Sequence, residues 1–208
     1  MSKEKVLEGA LTQFVKYGIR SVSMDDVARG LSMSKKTLYQ HFSNKNELVS
    51  EAVRKHLNEE RSEIEEIVQK SANSIEELFL LAKCLRKHVF KINPSLLFDL
   101  QKYHAEGWSV FQEFKKDFIV GQIKSNLERG IAEGYYRSKL NPNILAVLRM
   151  ELVELAFNDQ IFPRSEFDFL EVQMQLFDHF VHGILTESGR KKYTAYQQSE
   201  SSFKPIDQ

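Results

Sequence analysis

The chain has 208 residues, enough for one large or two small domains with a sizeable core. It is 42% hydrophobic and 28% charged, which excludes a disordered chain, and its formal net charge of +0 excludes a strongly basic, non-specific polyanion binder. The single cysteine, Cys84, excludes an intrachain disulfide. No apolar run approaches a membrane span or a secretory leader, so a cytoplasmic chain without membrane association is expected.

In chain order, an amphipathic helix ends at Phe14-Val15-Lys16-Tyr17-Gly18. Ser23 then caps a second helix, with Asp25 and Asp26 in a first turn where the helix dipole favours negative charge. Val27, Ala28 and Leu31 give that helix one apolar side. Gly30-Leu31-Ser32-Met33 turns the chain, with Met33 as an apolar anchor inside the turn. Ser34 caps a third helix in which Leu38 and Phe42 face inward. Lys35, Lys36, Thr37, Tyr39, Gln40 and His41 are left mostly outside. Such a row suits a nucleic-acid groove: lysines reach guanine edges or phosphates, Thr and Gln read bases, and Tyr and His reach phosphate oxygens. Asn44 and Glu47 have capping-box spacing for the next helix, and Lys45 falls in its first turn, where free N–H groups favour a phosphate. Residues 1–50 carry eight Lys/Arg against five Asp/Glu, a balance of 8 − 5 = +3, so the rest of the chain carries −3.

Beyond residue 50 the pattern is helix after helix. Spans are expected at about 47–69, 74–92, 95–104, 108–134, 142–158 and 166–188, with a capping box at Ser74 and Glu77 and stops at Asn93-Pro94 and Pro163. No useful strand alternation occurs, so the fold class is all-α. The expected domains are a three-helix head over 1–48, a helical body over 49–188, and a polar tail over 189–208, frayed or a short extra helix.

Residues 6–49 resemble the DNA-binding domain of the TetR family of bacterial transcriptional regulators. The resemblance rests on Phe14–Gly18, Ser23–Ala28, Ser34–Phe42 and Asn44–Leu48. It implies that Lys35, Lys36 and Thr37 face bases, that Tyr39, His41 and Lys45 hold the backbone, and that Ser23 touches phosphate. With Ser34 and Gln40, these form the candidate DNA-contacting set. Ser32 stands where the family's turn usually has Gly, and Lys36 where a small residue is usual. Leu127–Arg137 resembles, more loosely, the end of the family's longest central helix.

The resemblance further implies a homodimeric regulator, most often a repressor, that binds a palindromic operator and is released by a small apolar or aromatic effector. The alternative is a helical DNA-binding or protein-interaction scaffold without small-molecule control. Neither reading involves an enzyme or a cofactor. Leu145, Leu148, Leu152 and Leu155, with Leu170, Met174, Phe177, Val181 and Ile184, form apolar stripes at helical spacing. Off-stripe apolar residues leave a second side to bury, in a dimeric four-helix bundle or in a wide intrachain core. The dimer candidates are Leu148, Leu152, Leu155, Leu170, Met174, Phe177, Val181 and Ile184. Thirteen of the fifteen phenylalanines follow residue 50. An effector cavity, if these aromatics are not simply core, would draw on Phe98, Gln101, Tyr103, His104, Trp108, Phe111 and Phe118. Cys84 reads as an inert core thiol, with Lys83, Arg86 and Lys87 keeping a redox role open. His179 and His182 have metal-ligand spacing but lack a third ligand, and no metal site is expected.

Overall fold

The computed structural model describes residues 2–90 and 92–201. Its helices are α1 (Lys3–Tyr17), α2 (Met24–Gly30), α3 (Lys35–His41), α4 (Lys45–Lys70), α5 (Ser74–Val89), α6 (Leu96–Tyr103), α7 (Ala105–Phe114), α8 (Val120–Ala132), α9 (Pro142–Leu155), α10 (Phe169–Ile184) and α11 (Glu187–Ser201). A π-helical turn, Lys115–Ile119, joins α7 to α8. Among the described residues the protein is all-α, with one isolated bridge between Tyr136 and Leu185.

The chain divides into two compact units that differ from a head ending at residue 48. The first runs to Ser62 and includes Phe90–Phe118; the second holds Glu63–Val89 and the chain from Ile119 onward. The boundary falls inside α4, because a continuous helix carries no sequence punctuation where its packing partners change. The expected tail is helical as α11, whose Tyr193 is buried and whose Tyr196 stacks on Phe79 at 5.8 Å between centroids. Residues 202–208 lie outside the described residues.

The first unit is built on Val6, Ala10, Phe14, Ile19, Val27, Leu38, Phe42, Leu48 and Val49, with Leu100 of α6 in the same core. Leu96, Trp108 and Phe111 pack against it. Beyond the three-helix head, α6 is tied in by polar bonds: buried Asp99 accepts the Arg20 N–H at 2.9 Å, and the Asn93 N–H donates to the Val15 carbonyl at 2.7 Å.

The second unit buries Ile75, Leu78, Leu127, Tyr136, Phe177, Phe180, Val181 and Ile184. The expected Ser74/Glu77 capping box does not form. Asn73 Oδ1 accepts the Ile75 and Glu76 N–H groups, at 3.2 and 3.1 Å, and caps α5 instead. Ser74 gives its N–H and hydroxyl to Glu133 Oε2 at 2.9 and 2.6 Å, while Glu77 receives Arg129 at 3.3 Å. Tyr136 donates toward the Ser74 carbonyl and Asn126 Oδ1, at 3.1 and 2.8 Å, which satisfies a hydroxyl buried among apolar groups. The close approach beneath Tyr136 needs Gly130, where an added Cβ would lie 2.1 Å from the tyrosine ring.

Candidate nucleic-acid interface

The α2–α3 pair is defined by its caps. The Asp26 N–H donates to Ser23 Oγ at 3.2 Å and the Ser23 N–H donates to Asp26 Oδ2 at 3.0 Å, closing a capping box. The Ser23 hydroxyl also donates to that carboxylate at 2.6 Å, and these bonds hold Asp26 below the usual aspartate value. At the other end of α2, the Ser32 N–H reaches the Arg29 carbonyl at 3.0 Å and the Met33 N–H reaches Ala28 at 3.0 Å, the paired bonds of a Schellman ending. Ser32 sits in the left-handed region that this ending demands, with φ 52°. Met33 packs into the first unit's core, as its place in the turn predicts.

Ser34 caps α3 by accepting the Thr37 N–H at 3.0 Å, and its Oγ lies 2.8 Å from Thr37 Oγ1. Leu38 and Phe42 are fully buried and fix the helix by its inner side. Lys35, Lys36, Tyr39 and Gln40 are exposed, and Thr37 and His41 are half-buried. Lys35 is engaged with Asp25 at 2.8 Å, and the Asp25 carboxylate raises its pKa through that hydrogen bond and charge. Lys36 and Gln40 have no side-chain partner among the described residues, so their donors stand open to a ligand.

Lys45 is placed differently from the rest of the set. Its ammonium donates to the Ile19 carbonyl at 2.7 Å, and burial pushes its pKa below the ordinary lysine value. Asn44 caps α4 through the Glu47 N–H at 3.0 Å, while the Glu47 carboxylate reaches back one residue further than the expected box, to the Ser43 N–H at 2.7 Å. Behind α4, Asn46 Oδ1 accepts from His104 Nδ1 at 2.7 Å. Burial, and then the charge of Lys45, keep His104 below the usual histidine value.

The effector candidates are distributed rather than gathered. Trp108 stacks on Phe111 at 5.4 Å, and both pack on the first unit's core. Phe118 is buried against Phe114, with the Arg61 guanidinium 4.2 Å from its ring centre. Phe98, Gln101 and Tyr103 face outward, and His104 is spent on Asn46.

The dimer candidates divide as well. Phe177, Val181 and Ile184 lie in the second unit's own core, because the i, i+3, i+4 stripe of α10 is its inward side. They are therefore not a free face. Leu152 packs on the same core, Leu170 packs with Phe169 and Val172, and Leu155 and Met174 are half-buried. Of the dimer candidates only Leu148 is exposed; it shares α9 with Ile144 and Val147, and Ile144, Val147 and Leu148 are 64%, 50% and 45% exposed.

His179 and His182 are both exposed, and His182 pairs with Asp178 at 3.4 Å. Sequence reasoning passed over a different trio: Glu63, Cys84 and His88 bring one potential ligand atom each within 4.8 Å of one another. Cys84 and His88 are spaced i, i+4 on α5, a readable signal. Glu63 belongs to α4, and nothing in the sequence pairs it with them.

Two short capped helices joined by a left-handed turn, the second presenting polar side chains, constitute a helix-turn-helix head on an all-α body. Residues 6–52 match the model of the bacterial regulatory proteins, tetR family. The chain is 28% identical over 72% of its length to a Bacillus subtilis HTH-type transcriptional regulator, YhgD, covering 79% of that protein. It is 26% identical over 68% of its length to the HTH-type transcriptional repressor KstR2 of Mycobacterium tuberculosis, covering 72% of it. A TetR-family regulator structure from Agrobacterium tumefaciens superposes with a TM-score of 0.74 at 17% identity, covering 88% of this chain and 97% of that one. The matched head and these relatives support a TetR-family transcriptional regulator.

Proposed function

We propose that the protein is a homodimeric repressor that reads a palindromic DNA operator through the outer face of α3 and releases it on binding a small, largely apolar effector. The carrying observation is that Lys36 and Gln40 stand exposed on a helix locked from behind by Leu38 and Phe42. Thr37, Tyr39, His41 and Lys35 flank them, and Ser23 and Ser34 place helix N-termini at the same surface. Lys45 has a structural part, bracing Ile19. A single short helix reads few bases, and a pair reads two half-sites about 34–36 Å apart. The open strip Ile144, Val147 and Leu148 is the surface through which α9 pairs with a second copy. The protein works in the cytoplasm, and no described helix is long and apolar enough to cross a membrane.

A second reading, a DNA-binding scaffold without effector control, is favoured by one observation: Trp108, Phe111 and Phe118 are consumed in packing. Binding of the protein to genomic fragments, followed by footprinting and a salt titration, tests the first. The expected result is a two-fold symmetric footprint. Lys36→Ala should alter base preference at one position per half-site by about 1–3 kcal/mol. Binding that is indifferent to Lys36→Ala and Gln40→Ala together would overturn the reading of α3.

A further inference from the structure

We propose that Glu63, Cys84 and His88 form a binding site for a borderline divalent transition-metal ion of the zinc type, clamping the C-terminal half of α4 to α5. The inference goes beyond the operator reading and does not depend on it. Cys84 and His88 are one helical turn apart, so both side chains rise from the same face of α5. Glu63 meets them from α4, and the sulfur, ring nitrogen and carboxylate oxygen lie within 4.8 Å of one another.

A four-coordinate ion with metal–sulfur and metal–nitrogen bonds of about 2.3 and 2.0 Å needs its donors roughly 3.3–3.6 Å apart. His88 Nε2 and Glu63 Oε2, now hydrogen-bonded at 2.8 Å, would part by a few tenths of an ångström to admit it. The donor set settles the class of ion. Thiolate and imidazole with one carboxylate suit zinc-like ions, whereas magnesium and calcium ask for oxygen throughout. Lys87 holds the other Glu63 oxygen at 3.1 Å, orienting the carboxylate from outside the ligand shell. Three protein ligands leave the fourth position to water or an external donor, the arrangement of an open rather than a purely structural site. Binding needs no redox step: the thiol gives up its proton to solvent and the ion takes its place.

The test is a cobalt titration of the full-length, untagged, reduced protein. Expected are one equivalent bound, a thiolate-to-cobalt charge-transfer band in the near ultraviolet with the intense visible bands of four-coordinate cobalt, and displacement by zinc. Cys84→Ser should abolish the charge-transfer band. His88→Ala and Glu63→Gln should each weaken zinc binding by about tenfold or more. His179→Ala with His182→Ala should change nothing. Matching helical circular dichroism shows that each variant is folded. Absence of a saturable band, weak six-coordinate spectra only, or a band that survives Cys84→Ser would overturn the proposal.

Discussion

The ammonium of Lys45 donates to the carbonyl of Ile19 at 2.7 Å, closing the corner between the end of α1 and the start of α4. A residue that the family resemblance assigns to a DNA phosphate is therefore held as a structural donor. Lys45→Met should lower the stability of the protein to urea by about 1–2 kcal/mol, the loss of a short, charge-assisted bond to a carbonyl whose other donor, the Val22 N–H, is 3.4 Å away. The salt dependence of operator binding should keep its slope. A slope reduced by about one would return Lys45 to the phosphate contacts.

Ser32 carries the left-handed backbone at φ 52° that ends α2. A side chain there costs about 1–2 kcal/mol of local strain, offset in part by the greater freedom of glycine in the unfolded chain. Ser32→Gly should raise the urea midpoint by the equivalent of about 0.5–1 kcal/mol without altering the helical spectrum. A lowered midpoint would mean that the hydroxyl compensates for the strain.

Burial, and then the charge of Lys45, disfavour the cation of His104 in the fold. Its folded pKa lies below the unfolded value, near 6.5. The unfolded chain therefore binds a proton that the native one does not, so the stability from this residue is full above about pH 6.5 and declines as pH falls through the window below it. The difference between wild type and His104→Gln in urea stability, measured from pH 7.5 to 5.5, should shrink on acidification. Its slope should not exceed about 1.4 kcal/mol per pH unit. A pH-independent difference would show that folding leaves the pKa of the ring unchanged, and a difference that grows on acidification that folding raises it.

Leu148 and Phe177 were both candidates for the dimer seam, and the structure separates them. Leu148→Glu places a charge on the exposed face of α9, and sedimentation should show monomer with native helicity. Phe177→Ala opens a cavity in the second unit's core and should cost about 3–5 kcal/mol of stability. A dimer that withstands Leu148→Glu would exclude the α9 strip as the pairing surface.

What was legible in the sequence was what short-range chemistry decides. Ser23, Asp26, Ser34 and Asn44 announce helix starts because their side chains have one efficient use, satisfying free N–H groups in the first turn. The sequence marked Ser32 only as a residue standing where Gly is usual; that it keeps the left-handed ending, at φ 52°, was visible in the backbone alone. The Ser74/Glu77 pattern misled, since Arg129 and Glu133, more than fifty residues away, compete successfully for the same groups.

The sequence by itself determined an all-α protein with a helix-turn-helix head and the inner and outer sides of α2 and α3. Periodicity and capping are local, and one apolar stripe on a seven-residue helix has one way to be buried. Only the tertiary structure decided that α6 joins the first unit through Asp99 and His104, that Lys45 turns inward, and that Phe177, Val181 and Ile184 of α10 are core while Ile144, Val147 and Leu148 of α9 stay exposed. It alone brought Glu63 to Cys84 and His88. Each of these depends on which surfaces meet between residues far apart in sequence, and a helix that is apolar on several sides does not state in its sequence which side a partner will cover.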